Sequence, residues 1–438
     1  MQILKFGGTS VGSAERMKNL VSLIADEKPK IVVLSAMSGT TNNLVEISNA
    51  LYVGDVDKAN GLINSLEKKY EGILKELYSK ESSLKKGQEL VKNHFAFIRS
   101  LTLENFTAKR EKAILAEGEL LSTAMVHFYL EEIGIHSVLL PALDFMRIDN
   151  REEPDLSLVE ELLKAALEKH PLAKLFITQG YICRNASGDV DNLKRGGSDY
   201  TATIIGAALN AEEIQIWTDI DGMHNNDPRI VDKTFPVTEL SFDEAAELAY
   251  FGAKILHPTC VLPAQKRNVP VRLLNTMQPE AKGTVISNKL ITDRITAVAA
   301  KDGITAVRIK STRMLLAYGF LRSVFEVFER YKTSIDMITT SEVGVSVTID
   351  DAKNLQAIIT ELQRFCSIEV DKDQTIVCVV GNFALEKPGY AFRILDALKS
   401  IPISMISYGG SENNISVLVK TVYKKDALMA LNKGLFGL

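Results

Sequence analysis

The sequence predicts an α/β chain: an open, mostly parallel sheet between helix layers, followed by two ferredoxin-like βαββαβ units. Three observations predict it. Short apolar runs alternate with amphipathic helical stretches up to about residue 290, the pattern of a parallel sheet built from strand–helix repeats. Two glycine turns start helices, Gly7-Gly8 after the first strand and Gly196-Gly197 before the small-residue run Tyr200–Leu209. The final stretch of about 140 residues runs strand–helix–strand–strand–helix–strand and then begins the same order again.

Composition bounds the rest. The chain has 438 residues, a length that suits about three domains. Its hydrophobic content of 46% supports real cores, and 24% charged residues is ordinary for a soluble protein. The net charge is −4 and no basic block exists, which argues against nucleic acid as a partner. No run of about 18 apolar residues occurs, so no membrane span is expected. Met1 leads directly into a short strand and turn, so no signal peptide is expected. Cys183, Cys260, Cys366 and Cys378 show no close pairing. That suits a reduced cytoplasm and gives neither a zinc site nor a disulfide framework.

Gln2–Phe6 alternates as a strand, and Gly7-Gly8-Thr9-Ser10 turns into a helix over about 13–26. Strand, glycine turn and helix is an arrangement that cradles phosphate. It lacks the Gly-Lys-Ser/Thr of a P-loop and the motifs of a protein kinase. A solvated strand-end side chain is the usual case for a lone lysine such as Lys5. Ile31–Leu34 is a buried-type strand opening into the hydroxyl-rich loop Ser35–Asn42, and such loops bind ligand in open α/β sheets. Residues 45–106 read as a helical insertion with solvated Lys and Glu faces. A helix is expected to begin at Glu119, after Glu117-Gly118, and to run to Tyr129. Val138–Leu140 is a strand, 156–169 an amphipathic helix, and Leu175–Thr178 another buried strand.

The organising stretch is Gln179–Arg229. Arg195-Gly196-Gly197-Ser198-Asp199 is a glycine turn flanked by charge, followed by the small-residue apolar run Tyr200–Leu209. Paired glycines let a ligand approach the backbone, and a helix starting there offers free N–H groups to an anion. A turn capped by Ser or Asp is the alternative, and the residues alone leave both open. Ile214–Trp217 is a strand ending in Thr218-Asp219, and Asp227-Pro228-Arg229 is a turn. A helix over Phe242–Tyr250 precedes Phe251–Pro258, where Lys254 reads as a surface lysine unless a ligand claims it. The strand Val271–Leu274 and a turn at Gly283-Thr284 close the section near 290.

In the C-terminal part, strands are expected at 304–310, 335–340, 343–349 and 367–371, with helices at 319–331 and 352–364. A second unit restarts with strand 375–380, helix 390–399, strands 404–408 and 415–420, and helix 425–433. It lacks a last strand. The unassigned run Ile295–Ala299 is expected to supply it, which nests the first unit inside the second.

Together, KFGGTSVGS, SAMSGTTNNL, GELLS, KRGGSDYTA, IWTDIDGMHNNDPR and FGAKILHP, in this order, resemble aspartate kinase, and the resemblance covers essentially the whole chain. It implies the amino-acid kinase fold over 1–290 and two ACT domains over 303–372 and 373–438, the second completed by strand 295–300. GFLRSVF and SIDMITTSEVGVSVTID resemble the lysine-sensitive branch, and no fused homoserine dehydrogenase is expected after the second ACT unit.

The implied reaction moves the γ-phosphoryl group of Mg-ATP to the side-chain carboxylate of L-aspartate. This gives 4-phospho-L-aspartate, the opening step toward lysine, threonine and methionine. By position, the resemblance gives Lys5 and Asp199 the catalytic roles and Gly7, Gly8 and Ser10 the phosphate contacts. Thr41, Glu119, Arg195 and Ser198 would hold L-aspartate, and Thr218, Asp219, His224, Arg229 and Lys254 the nucleotide. Such chemistry needs charge neutralisation and in-line positioning more than a protein nucleophile. ATP and Mg2+ are the implied cofactors, the Mg2+ held mainly by ATP phosphates.

The implied regulatory ligand is L-lysine, at Met314, Phe320, Leu321, Ser334, Ile335, Asp336, Thr340, Ser341 and Glu342. Asp336 reads otherwise as a turn cap. A homodimer through the ACT units and a cytoplasmic location are implied. The chain departs from the family pattern at His224 (commonly Tyr), Asp221 (Pro), Lys194 (Gly) and Ala317 (often Ser). The rival readings are a relative acting on glutamate, acetylglutamate, carbamate or a nucleotide, and a non-catalytic amino-acid sensor.

Overall fold

The structure, a computed structural model, describes all residues except 104, 194–195, 253–255, 290–292, 311–317 and 384–387. The chain divides into two compact units. The first is Met1–Met223, Thr238–Phe242 and Leu256–Asn288, and the second is His224–Val237, Asp243–Ile255 and Lys289–Leu438. Residues 224–237 and 243–255, inside the expected 1–290 domain, therefore cluster with the second unit.

The first unit begins with β1 (Gln2–Phe6), α1 (Ala14–Ile24) and β2 (Lys30–Leu34). The insertion follows as α2 (Thr40–Tyr52), α3 (Val56–Leu77), α4 (Glu81–Ser100) and α5 (Ala108–Glu132). Then come β3 (Val138–Leu140), α6 (Ala142–Phe145), α7 (Leu156–Glu168) and β4 (Leu175–Gln179). A hairpin of β5 (Ile182–Arg184) and β6 (Val190–Asn192), absent from the sequence reading, leads to α8 (Gly197–Ala208) and β7 (Glu213–Thr218). β8 (Glu239–Ser241), α9 (Phe242–Tyr250), α10 (Leu262–Arg267), β9 (Val271–Asn275) and β10 (Thr284–Ser287) follow, of which α9 lies almost wholly in the second unit.

The sheet order is β3-β4-β2-β1-β7-β9-β10-β8. Every pairing is parallel except β9 with β10. Side-chain alternation fixes the two faces of the central strand. Leu4 and Phe6 pack into the core shared with α1–α5, and Phe6 stacks on Trp217 at 5.6 Å, a pair worth about 0.5–1.5 kcal/mol beyond burial. Ile3 and Lys5 therefore face the other side, where α8 lies. Gly206 of α8 sits so close that an added Cβ would meet Ile214 at 2.4 Å and Ile3 at 3.7 Å.

Two expectations are corrected here. Glu117-Gly118 does not precede a helix; both residues lie inside the continuous α5. Gly118 is there for close packing, since a Cβ would fall 2.7 Å from the Ala36 Cβ. Gly283-Thr284 is less a turn than the start of strand β10.

The second unit carries a six-stranded antiparallel sheet. Its elements are β11 (Arg294–Lys310), α11 (Phe320–Arg330), β12 (Ile338–Thr340), β13 (Gly344–Ile349) and α12 (Leu355–Leu362). β14 (Ser367–Asn382), α13 (Tyr390–Ala397), β15 (Met405–Ser407), β16 (Asn414–Lys420) and α14 (Lys424–Phe436) complete it. The order is β12-β13-β11-β14-β16-β15. The runs 295–299 and 304–310 are one strand, as are 367–371 and 375–380. The polar breaks between them are register shifts near Ile304, accommodated by Gly303 at φ 79° and Asp373 at φ 54°. The first half of β11 pairs with the second half of β14, and the second half with the first. One core, with Val324, Phe328 and Ile358, lies under the 305–370 half. The other, with Ile394, Leu428 and Leu431, lies under the 375–436 half. The strand expected over 335–340 shortens to Ile338–Thr340. Before it, Asp336 N–H donates to Thr348 O at 2.9 Å.

Candidate active site

The carboxyl ends of β1, β2 and β4 and the N-terminus of α8 surround one open cleft of about 630 Å³. Lys5, Gly8, Ser35–Gly39, Thr41, Asn42, Glu119, Tyr181 and Gly196–Asp199 line it. Lys5 reaches the α8 side because it shares a strand face with Ile3. Its Nζ lies 2.6 Å from Asp199 Oδ1, both side chains largely buried. Asp199 sits in the first turn of α8, where the helix dipole favours a negative charge.

Two backbone approaches explain the glycines. A Cβ on Gly8 would fall 2.9 Å from Ala36 O, so the turn after β1 and the loop after β2 lie against each other. Ser38 N–H closes that contact by donating to Gly8 O at 3.1 Å. Gly196 caps α8 at φ 75°, a left-handed conformation that glycine adopts without strain. Tyr181, which the sequence reading did not single out, lines the cleft at φ 67°. A non-glycine residue held in that region is strained, and such strain gathers at functional sites.

Glu119 projects from α5 and is 3% exposed. Its Oε1 accepts from Ala36 N–H at 3.1 Å, while Oε2 has no partner among the described residues. Burial pushes its carboxyl up to about 8, against the pull of the Ala36 N–H. A buried carboxylate oxygen without a partner is costly and fits an incoming cation. Thr41 and Ser198 both line the same cleft. Arg195 and Lys194 lie outside the described residues.

Thr218 ends β7, and its hydroxyl donates to Asp219 Oδ1 at 3.2 Å. His224 and Arg229 belong to the second unit. There His224 Nδ1 lies 2.9 Å from Thr234 Oγ1. Arg229 makes a two-point contact with Asp227, Nε–Oδ1 2.9 Å and Nη2–Oδ2 2.8 Å, which holds the Asp227 carboxyl below its ordinary value. Lys254 lies outside the described residues. Thr276, also missed, donates its hydroxyl to Thr218 O at 2.6 Å and lies 3.0 Å from Ser10 Oγ.

The regulatory candidates sit on the first half of the second sheet. Thr340 and Ser341 line a groove of about 430 Å³ with Arg308–Lys310 and Val343–Ser346. Phe320 and Leu321 begin α11, Ile335 packs against the core beneath it, and Ser334 and Glu342 are exposed. Met314 and Ala317 lie outside the described residues. Asp336 is not a simple turn cap. Its side chain is fully buried and takes Lys301 Nζ at 2.9 Å and the Tyr250 hydroxyl. Lys301 also pairs with Asp350 at 2.8 Å and lies 4.3 Å from the Tyr250 ring centroid. Burial would lower Lys301, but Asp350 and Asp336 together raise it above its ordinary value. Sequence reading missed Lys301 and Tyr250 because nothing local marks a partner that the fold brings from another element.

Comparison with known proteins shows the family. A model of the amino acid kinase family matches residues 1–275, and a model of an ACT domain matches 377–435. The chain is 35% identical to aspartokinase 1, chloroplastic, of Arabidopsis thaliana, over 99% of this chain and 80% of that protein. It is 33% identical to lysine-sensitive aspartokinase 3 of Escherichia coli, over 99% of both. Among solved structures, E. coli aspartokinase III in complex with aspartate and ADP (R-state) superposes with a TM-score of 0.84 at 32% identity, covering 100% of each chain. The same enzyme in complex with lysine and aspartate (T-state) gives 0.83 at 32% identity, covering 100% of this chain and 99% of that one.

Proposed function

The chain belongs to the aspartate kinases of the amino acid kinase family, and from that membership we propose how its residues divide the work. A carboxylate oxygen of the L-aspartate side chain attacks the γ-phosphorus of ATP. The bond to the β-phosphate oxygen breaks, and the products are 4-phospho-L-aspartate and ADP. The nucleophile is already an anion, so no general base is required.

Lys5, with the Gly8 amide and the N-terminus of α8, neutralises the charge on the transferring group, while Gly7, whose own N–H is spent on Trp217 O at 3.3 Å, shapes the turn rather than contacting phosphate. Asp199 orients Lys5. Glu119 receives the substrate ammonium, which supplies the partner its Oε2 lacks. Arg195 forks the α-carboxylate, and Thr41 and Ser198 donate to the substrate. Thr218, Asp219, His224, Arg229 and Lys254 hold the nucleotide, with Ser10 at the phosphate turn. Mg2+, held mainly by the ATP phosphates, would supply further charge neutralisation beside Lys5. Among the described residues no cluster of three or more His, Cys, Asp or Glu could hold a metal, and the only carboxylates lining the cleft are Glu119 and Asp199. That donor set fits a metal carried by the nucleotide.

Residues 1–290 carry the catalysis in this reading, and 303–372 and 373–438 form two ACT units, the second completed by 295–300. L-lysine is the proposed effector, by likeness to the lysine-sensitive E. coli relative. Its ammonium would compete with Lys301 for Asp336, and Thr340, Ser341 and Glu342 would hold its other end. A homodimer through the ACT units is supported by the outer strands β12 and β15, which expose Ile338 and Ile406 at the sheet edges. We place the enzyme in the cytoplasm. Among the described residues no helix is long and apolar enough to cross a membrane.

The observation that carries the reading is one cleft holding both the Lys5–Asp199 pair and the unpartnered Glu119 oxygen. ADP release with L-aspartate, with L-glutamate and with no acceptor tests it. Release with aspartate alone is expected. Equal release with glutamate points to a relative of different specificity, and none with either points to a sensor. Separate titrations of L-lysine and L-threonine test the effector, with inhibition by lysine expected.

A further inference from the structure

The glycine turn after β1 is tied to two neighbouring strands through Thr276, the residue that follows β9. Thr276 donates to Thr218 O twice, through its N–H at 2.8 Å and its hydroxyl at 2.6 Å. A carbonyl only accepts, and a threonine hydroxyl has one proton. That proton is therefore engaged at Thr218. The contact of 3.0 Å between Ser10 Oγ and Thr276 Oγ1 must then use the Ser10 proton. Ser10 is 4% exposed and keeps only lone pairs for anything else. A phosphate oxygen at neutral pH is an acceptor, so the Ser10 hydroxyl has no proton to offer it in this arrangement.

We propose that Thr276 is a positioning residue for phosphoryl transfer, and that the Ser10 side chain acts through it rather than on the phosphate. The inference rests on the nucleotide reading above and refines the place given there to Ser10. Gly7 N–H donates to Trp217 O at 3.3 Å at the start of the turn. Ser10, through Thr276, fixes its end to the last carbonyl of β7. The two ties set where the Gly8 amide and Lys5 point relative to Thr218 and Asp219. Misplacement of such groups by a fraction of an ångström lowers the rate without removing any contact to the substrate.

Four variants test this, with Asp219→Ala as the control for the nucleotide reading. Thr276→Val keeps the shape and removes the hydroxyl. It should lower kcat/KM for ATP by about tenfold, the scale of one lost buried hydrogen bond with its partner left unsatisfied, and leave KM for aspartate near wild type. Thr276→Ser should restore the wild-type value. Ser10→Ala should match Thr276→Val, and the double variant should be no worse than either, because both break one chain of bonds. If Ser10→Ala and Thr276→Val multiply in the double variant, Ser10 acts on the phosphate and the proposal is overturned. If Thr276→Val is normal in ATP kinetics while Asp219→Ala raises KM for ATP, the proposal fails and the nucleotide reading stands. Normal KM for ATP in both overturns the reading and the proposal together.

Discussion

Lys301 Nζ lies 2.9 Å from Asp336 Oδ1, and the Asp336 side chain is 0% exposed. The carboxylate proposed to meet the effector ammonium is thus already held by a lysine of the same chain. Tyr250, four residues before Lys254, donates its hydroxyl to the same oxygen. A ligand that displaces Lys301 from Asp336 therefore acts on a cluster in direct contact with the end of α9.

Lys301→Met leaves Asp336 buried with a hydroxyl and no cation. Removing one partner of a buried pair costs about 3–5 kcal/mol, so the thermal midpoint should fall. L-lysine should then raise the midpoint of this variant more than that of the wild type, because the free ligand replaces the missing charge. Equal shifts in both proteins would show that the effector does not meet Asp336.

Lys5→Ala should lower turnover by about 100-fold or more, the scale of losing one donor to transition-state charge, with the fold retained by circular dichroism. Asp199 would lose its partner in the same variant. Turnover near wild type in a folded Lys5→Ala protein would remove Lys5 from the mechanism.

Glu119 sets a pH dependence. Its carboxyl is raised to about 8 from an ordinary 4.5, so the proton-bound form is favoured in the unliganded fold. Stability from this group is fully present below its unfolded value and fades as pH rises through about 8. The substrate ammonium favours the carboxylate instead, so aspartate binding should release a proton. KM for aspartate should fall as pH rises from about 6.5 to 8.5, by at most about tenfold per unit. Glu119→Gln should flatten that slope. An unchanged slope in Glu119→Gln would assign the titration to another group.

Arg195→Lys should mainly raise KM for aspartate, since an ammonium cannot reproduce the planar two-point fork on a carboxylate. A rise confined to KM for ATP would move Arg195 to the nucleotide.

Local chemistry made much of the fold legible. Period-two alternation in Gln2–Phe6 puts Lys5 on the Ile3 face, and the continuous apolar runs 31–34 and 175–178 are parallel strands because helices cover both faces. The repeated order after residue 294 gave the second sheet. What local chemistry misjudged were breaks: Asp302-Gly303 and Lys372-Asp373 look like turns, yet the long β11–β14 pairing carries both strands through them. Gly118 looks like a helix breaker, but the side chains of Ala36 and Thr40 need the space. Thr276, Tyr181 and Lys301 were invisible for a different reason. Each matters through a partner distant in sequence, and a hydroxyl or ammonium carries no local mark of the oxygen it will meet.

The most direct test of the account is product capture. An acyl phosphate reacts with hydroxylamine to give a hydroxamate, so wild-type enzyme with Mg-ATP, L-aspartate and hydroxylamine should form one aspartyl hydroxamate for each ADP released. The account predicts that equivalence, and no hydroxamate when L-glutamate replaces L-aspartate. ADP released with aspartate but without hydroxamate would contradict transfer to the side-chain carboxylate.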